Sequence, residues 1–270
     1  MFYQIIKPSI PLQEYIKSYF IWEHCGSSAN PFFEVHSAPN GYTGMVINYG
    51  NPYSIWGSTG IWQTTTQSFV AGQFTKKYKI GLNGNVGIIG VVFWPGAMER
   101  LLKIPTLEFT DQRIDLKLVL GENFRLLEEQ ILESHTNETR VGILNRFFSN
   151  YIEGSSNQPD LVDDALSKIL NSKGILSIRD LSKNYCLSPR HFRRRFTDRV
   201  GVSPKMYSRI KRFNYISYLT IKEFENWQDL VYKGGFYDQA HFIRDFCHFT
   251  GKKPTDFVNY NRGLVELMGA

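Results

Sequence analysis

The chain has three cysteines, Cys25, Cys186 and Cys247, far apart and never at a CxxC or other metal spacing. That excludes a disulfide-stapled scaffold and a cysteine-based zinc module, and it fits a reducing compartment. Long apolar runs are also missing. The stretch from Val86 to Pro95 is among the longest without charge and is about half of what a bilayer requires. The opening MFYQIIKPSIPLQEY lacks a basic start, an apolar centre and a small-residue cleavage site, so no export signal is read and a cytoplasmic location is expected. No Gly-Lys-Ser/Thr follows the glycine-rich GLNGNVG, Gly81 to Gly87, which leaves hairpin turns rather than a phosphate-binding loop. No serine or cysteine stands in a nucleophile-elbow context. Glu34 and His36 lie two apart on an expected strand with His24 on an earlier one, but no His-x-His with a later Glu and His completes a metal set. No catalytic residue, cofactor or metal is therefore expected.

What is present is a globular composition, 42% apolar and 21% charged. Charge is unevenly distributed. Residues 1–160 hold 12 Lys/Arg against 14 Asp/Glu, whereas residues 161–270 hold 19 against 11, so the net +6 belongs to the C-terminal part. A polyanion partner for that part alone is the implication. The sign changes at Tyr151 to Asp160, YIEGSSNQPD, a Gly/Ser/Asn/Pro cluster of linker composition. The expected organisation is a first domain over 1–153, a linker over 154–160, a second domain over 161–262 and a tail over 263–270.

The first ninety-odd residues contain strand-like pieces, SYFIWEH, FFEVHSA, TGMVINY, QSFVAGQF and VGIIGVVFW, punctuated by Gly, Pro and Asn. After Pro95 the apolar spacing becomes helical, in AMERLLKI, ENFRLLEEQILESH and ETRVGILNRFFSNYIE, with Glu128 and Glu129 expected on a polar face. Beyond the linker nearly everything reads as helix. Ser177, Ser188-Pro189, Ser203-Pro204, Asn226 and Asp238 are N-terminal caps, while Gly201, Gly234-Gly235 and Gly251 are stops. The fold class expected is α+β: an N-terminal β-rich barrel or sandwich with added helices, then an all-α domain.

That all-α domain repeats itself. Phe192, Phe196, Gly201, Pro204 and Tyr207 correspond at an offset of 50 to Phe242, Phe246, Gly251, Pro254 and Phe257, and His191 and Arg194 recur as His241 and Arg244. Asp180-Leu181 matches Asp229-Leu230 at an offset of 49. Each unit is a short helix, a tight turn and a second helix, two helix-turn-helix units joined by a long helix from Pro204 to about Ile221. At about 100° per residue, Phe192 and Phe196 face inward and turn Arg190, Arg194 and Thr197 outward, with His191 and Arg193 flanking. In the second unit Phe242, Phe246 and Phe249 face inward, Ala240, Arg244 and Cys247 outward, and His241 and Ile243 flank. The first unit carries Arg190, Arg193, Arg194, Arg195 and Arg199 within ten residues. Arginine donates two hydrogen bonds to guanine O6 and N7 and also neutralises phosphates, so double-stranded DNA is the partner this pattern fits. The joining helix, with Met206, Ile210, Phe213 and Ile216 as its buried stripe, spans about 27 Å at 1.5 Å per residue, a suitable spacer between two readers.

The runs LSPRHFRRRFTDRVGVSPKMY, Leu187 to Tyr207, and GFYDQAHFIRDFCHFTGKKPTDF, Gly235 to Phe257, resemble the DNA-binding domain of AraC/XylS-type bacterial transcription regulators. The Gly-Phe-x-Asp start at Gly235, Phe236 and Asp238 and the Phe, Arg, Phe, Gly, Pro spacing are intact. The resemblance implies two outward helices in adjacent major grooves. It maps base reading to Arg190, His191, Arg193 and Arg194 in the first and to Gln239, Ala240, His241, Ile243 and Arg244 in the second. Departures are Lys253 in place of a small hydroxyl, Cys247-His248 in place of a basic pair, and Ala240 and Ile243, which offer no hydrogen bond. The N-terminal part is similar, more loosely, to the β-rich sensing domains of such regulators, with Trp22, Tyr42, Phe74 and Phe93 as candidate pocket aromatics. A small-molecule effector at that domain, a homodimer partner and RNA polymerase complete the candidate partners, and a membrane is not among them. The competing reading is a cupin-type metal-dependent small-molecule enzyme fused to a DNA-binding module.

Overall fold

The computed structural model describes residues 1–26, 32–57, 60–152, 159–222 and 226–256, with the side chains of 221 and 222 left aside. Most of the expected linker, Phe257 of the repeat and the tail 263–270 lie outside the described residues. One sheet is built from β1 (Phe2–Ile6), β2 (Ile16–His24), β4 (Thr43–Asn48), β7 (Ser68–Ala71), β9 (Val86–Phe93) and β10 (Arg113–Asp115), in the order β1-β2-β9-β4-β7-β10. A second contains β3 (Phe32–Ser37), β5 (Ser54–Trp56), β6 (Trp62–Thr64) and β8 (Tyr78–Asn83), in the order β3-β8-β5-β6. Every pairing is antiparallel. The two sheets are separate rather than closed on each other, so of the barrel and the sandwich it is the sandwich that forms.

Alternation of side chains places the layers. Trp22, Val46, Phe69 and Ile88 point between the sheets and meet Tyr53, Ile55 and Leu82. Their neighbours Tyr19, Ile21, Met45, Ile47, Val70, Ile89, Val91 and Phe93 point the other way. There they are covered by α1 (Ala97–Leu102), α2 (Leu116–Leu120), α3 (Glu122–Glu133) and α4 (Asn137–Ile152). Phe93 meets Phe148 edge-on, with ring centroids 5.6 Å apart, so of the candidate pocket aromatics it is the one that belongs to this helix-facing core. Glu128 is a correction to the expected polar face. It is buried, because α2 brings Lys117 to within 2.7 Å of its carboxylate.

The C-terminal helices begin and end where their caps dictate. They are α5 (Leu161–Asn171), α6 (Ile178–Lys183), α7 (Pro189–Val200), α8 (Pro204–Lys222), α9 (Trp227–Lys233) and α10 (Gln239–Thr250). Asp160 forms a reciprocal capping box with Asp163. Ser177, Ser188, Asn226 and Asp238 each accept from the backbone N–H three residues on. Gly201 and Gly251 adopt φ of 90° and 67°, the left-handed stop that a side chain would strain. Phe192, Phe196, Leu181 and Tyr207 form one core. Phe242, Phe246, Phe249 and Leu230 form another with Ile210, Phe213 and Ile216 of α8, so the long helix is shared by both units.

Candidate nucleic-acid interface

The inward phenylalanines of α7 fix what its other side presents. Phe192 and Phe196 are buried, and Arg190, His191, Arg193 and Arg194 are all exposed on the first turns after the Ser188 cap. Together with Thr197 and Asp198 they form one shallow, open surface. Among the described residues none of Arg190, Arg193 and Arg194 has an acidic partner. The other two arginines of this helix have a different fate. Arg195 reaches Asp160 at 3.1 Å. Arg199 is buried and donates to both oxygens of Asp163 at 2.7 and 2.8 Å, with Asp160 and Glu99 beside it. The five arginines thus divide into three without an acidic partner among the described residues and two held by Asp160 and Asp163 at the start of α5.

In the second unit Gln239, Ala240 and Arg244 are exposed at the start of α10, whereas His241 and Ile243 are half-buried. Ile243 packs on the flank of the second core. The His241 ring stands edge-on to Phe236 and 3.8 Å from Asp245. Asp245 itself is buried and accepts from Arg209 at 2.9 Å and Arg212 at 3.2 Å, fixing α10 against α8. Of the five residues expected here, three face solvent and two lean inward. Tyr237, 93% exposed in the turn before α10, is a further surface residue that sequence reasoning missed. Its place as the free position of Gly-Phe-x-Asp was the available signal.

Both recognition helices have free first turns and docked last turns. The Thr106 hydroxyl of the N-terminal domain donates to Arg199 O at 2.6 Å and that of Thr110 to Gly201 O, satisfying carbonyls left open at the α7 terminus. At the end of α10, Gly251 lies against Lys77, so close that a Cβ would meet its Nζ at 2.0 Å.

The spacer helix is docked as well. Lys211 Nζ and Asn214 Nδ2 each donate to Asn40 O at 2.9 Å. Lys211 also lies 3.9 Å from the Tyr42 ring centroid, with Lys17 at 4.3 Å from the same ring. Gly41, at φ 80°, makes room, since a Cβ there would stand 2.6 Å from Lys211 Cε. No carboxylate pairs with either lysine among the described residues, and Tyr42 and Tyr207 are the other titratable groups facing Lys211. Burial, and then the Lys17 ammonium, push the Lys211 pKa down from 10.5 to about 7. Below pH 7 docked and released Lys211 are both protonated and docking buries a charge. Between pH 7 and 10.5 the docked amine has lost its proton while a released one keeps it, so stability rises with pH across that window. Thermal melts of the natural chain and of Lys211→Met between pH 7 and 9 should therefore diverge in favour of the natural chain as pH increases. A constant difference would contradict this.

Glu34, His36 and Lys79 form one cluster, with Glu34 at 2.8 Å from His36 and 3.0 Å from Lys79. His24 stacks on Phe33 instead. Among the described residues no three His, Cys, Asp or Glu side chains come together as a metal set, and no helix is long and apolar enough to cross a membrane. Of the expected pocket aromatics, Trp22, Tyr42 and Phe74 do line a cavity between the sheets.

A family model for a helix-turn-helix domain matches residues 181–260, and one for a domain of unknown function (DUF6597) matches residues 4–115. An uncharacterized HTH-type transcriptional regulator of Staphylococcus aureus strain MSSA476 is 28% identical over 116 residues, covering 41% of this chain and 16% of that protein. The match therefore spans about a sixth of the length of such relatives. Among solved structures, ToxT of Vibrio cholerae is 12% identical, with 91% of this chain and 98% of that one covered at a TM-score of 0.45. The AraC-like transcriptional activator CuxR is 13% identical, with 74% and 76% covered at a TM-score of 0.28.

Proposed function

We propose, from the premise that residues 181–260 are a helix-turn-helix domain of the AraC type, that this chain is a sequence-specific double-stranded DNA-binding transcription regulator. The observation that carries the proposal is the repeated pair of recognition helices with open first turns, the first presenting three arginines without acidic partners among the described residues. Helix-turn-helix proteins read bases with the N-terminal residues of the second helix, and those are the turns left open here. Arg190, Arg193 and Arg194 serve guanine edges and phosphates, with His191 beside them. Gln239, Ala240 and Arg244 form the reading surface of α10, with His241 and Ile243 at its margin. The Tyr237 hydroxyl and the exposed lysines supply phosphate contacts that set register. The chain works by binding, in the cytoplasm, and not by catalysis.

The N-terminal domain governs this reader through Ala38 to Tyr42, which is wall of the inter-sheet cavity on one side and the seat of α8 on the other. An effector in the cavity shifts the population in which both helices engage DNA. Dimerisation and contact with RNA polymerase follow from the family resemblance alone.

Arg194→Ala tests the reading directly. It should weaken binding to a selected site by about 1–3 kcal/mol and relax preference at one base pair, while the melting temperature stays unchanged because the side chain is exposed. Equal affinity and unchanged preference would remove Arg194 from the interface.

A further inference from the structure

We infer that the open cleft between the two helix-turn-helix units grips the sugar-phosphate backbone of the DNA strand that runs from one reading helix to the other, with Arg179 and Lys205 as its free cations. This rests on the DNA-binding reading above and adds a contact between the two readers, where His241 is the one expected site residue present.

The cleft has the start of α6 and the segment before it as one wall, His241 and Asp245 of α10 as the other, and α8 as its floor, through Lys205, Ser208, Arg209 and Arg212. Helical spacing puts these four on one face, at i, i+3, i+4 and i+7. Gly174, at φ 75°, lets the segment before α6 rest directly on this floor, since a Cβ there would collide with the Ser208 carbonyl oxygen. Arg179, on the first turn of α6, is thereby held at the rim.

Charge in the cleft is one-sided, with four Lys/Arg against a single carboxylate. Asp245 is spent on Arg209, at 2.9 Å, and on Arg212, at 3.2 Å, and His241 stands 3.8 Å from it. Arg179 and Lys205 are exposed, and neither forms an ion pair among the described residues. Asp180, beside Arg179 in sequence, pairs with Lys183 at 3.1 Å instead. Two donors beneath the floor also lack acceptors. Ser208 Oγ and Arg212 Nε are buried without a hydrogen-bond partner among the described residues, and Ser208 as a whole is 6% exposed. Donors without acceptors under an excess of positive charge suit an anion rich in oxygens.

Position selects a phosphodiester. In a helix-turn-helix unit the first helix crosses the backbone while the second enters the major groove. This cleft joins the first helix of one unit, α6, to the reading helix of the other, α10. His241 belongs both to the cleft wall and to the margin of the α10 reading surface, so the cleft opens beside the groove that α10 enters. A strand leaving that groove toward α7 passes over α8 and meets Lys205 and Arg179. Anchoring it there fixes the distance between the two blocks of bases.

The test is the salt dependence of duplex binding by the full-length chain. Each phosphate contact contributes about 0.9 to the slope of log affinity against log salt, so Arg179→Gln and Lys205→Gln should each make the slope shallower by about 1 and the double variant by about 2. Arg146→Gln, the same loss of charge on the exposed surface of α4, should leave it unchanged. On a selected site, replacing the phosphates between the two blocks by neutral methylphosphonates should weaken binding by the natural chain about ten-fold and leave the double variant nearly unaffected. Thermal melting checks that the variants fold. An unchanged slope in the folded double variant, an equal effect of Arg146→Gln, or equal weakening of both proteins by methylphosphonates would each overturn the proposal. It also falls if the slope stays the same while inorganic phosphate raises the melting temperature of the natural chain and not of the double variant, since the cleft then holds a free anion. Slopes are read on a random-sequence duplex as well, so a chain that selects no sequence fails the base-reading account while its slopes still decide the clamp.

Discussion

Phe246→Ala lowers the stability of the second helix-turn-helix unit by about 3–5 kcal/mol, the cost of emptying a fully buried aromatic site. Phe246 is 1% exposed, with Phe213 and Phe242 rings 5.4 and 5.6 Å from its own. The hole has nowhere to collapse, because α8 is held from its other side by the first unit and by Asn40. Chemical denaturation should show the second unit melting ahead of the rest of the chain. DNA binding falls with it, though no base contact has been removed, and lowering the temperature should restore part of it. An unchanged denaturation midpoint would mean that the phenylalanine repeat does not build the unit. Set beside Arg194→Ala, which should alter binding at constant stability, this variant separates scaffold from reader.

Arg199→Ala should be nearly as damaging, at about 3 kcal/mol. That is the lower end of the range for breaking a buried pair, chosen because Asp160 is about a third exposed and water screens part of the loss. Arg199 closes a cluster that ties α7 to α5 through Asp160 and Asp163 and to the N-terminal domain through Glu99. Removing it leaves Asp163 with Arg100, at 3.4 Å, as its one remaining cationic partner among the described residues. Thermal melts should show the loss, and hydrogen exchange should rise at the end of α7 and around Thr106, where the helix docks. A variant that keeps its stability but loses salt-sensitive DNA affinity would instead make Arg199 a phosphate contact.

The contrast between Arg194 and Arg199 shows what a single sequence carries. Helix boundaries were legible because the signals are local: Ser188 with Pro189, Asn226, Asp238, Gly201 and Gly251 act on backbone within one turn of themselves. The repeat was legible because the same fold was written twice, and the phenylalanine spacing sorted inward from outward faces on both helices. Partners distant in sequence were not. Arg199 pairs with acids 36 and 39 residues away, and Lys211 with a carbonyl 171 residues away. No periodicity reports such pairs, so the sequence shows Arg199 only as one of five arginines in ten residues, outside the base-reading set. The short strands β5, β6 and β10, of three residues each, lack the length for alternation to appear.

The most direct measurement of the account is selection from a random duplex library with the full-length protein at moderate salt. Two recognition helices with free first turns predict enrichment of two short sequence blocks about one helical turn apart, the first rich in guanine. Salt-sensitive binding without any enriched sequence would contradict it, leaving a domain that clamps phosphates and reads nothing.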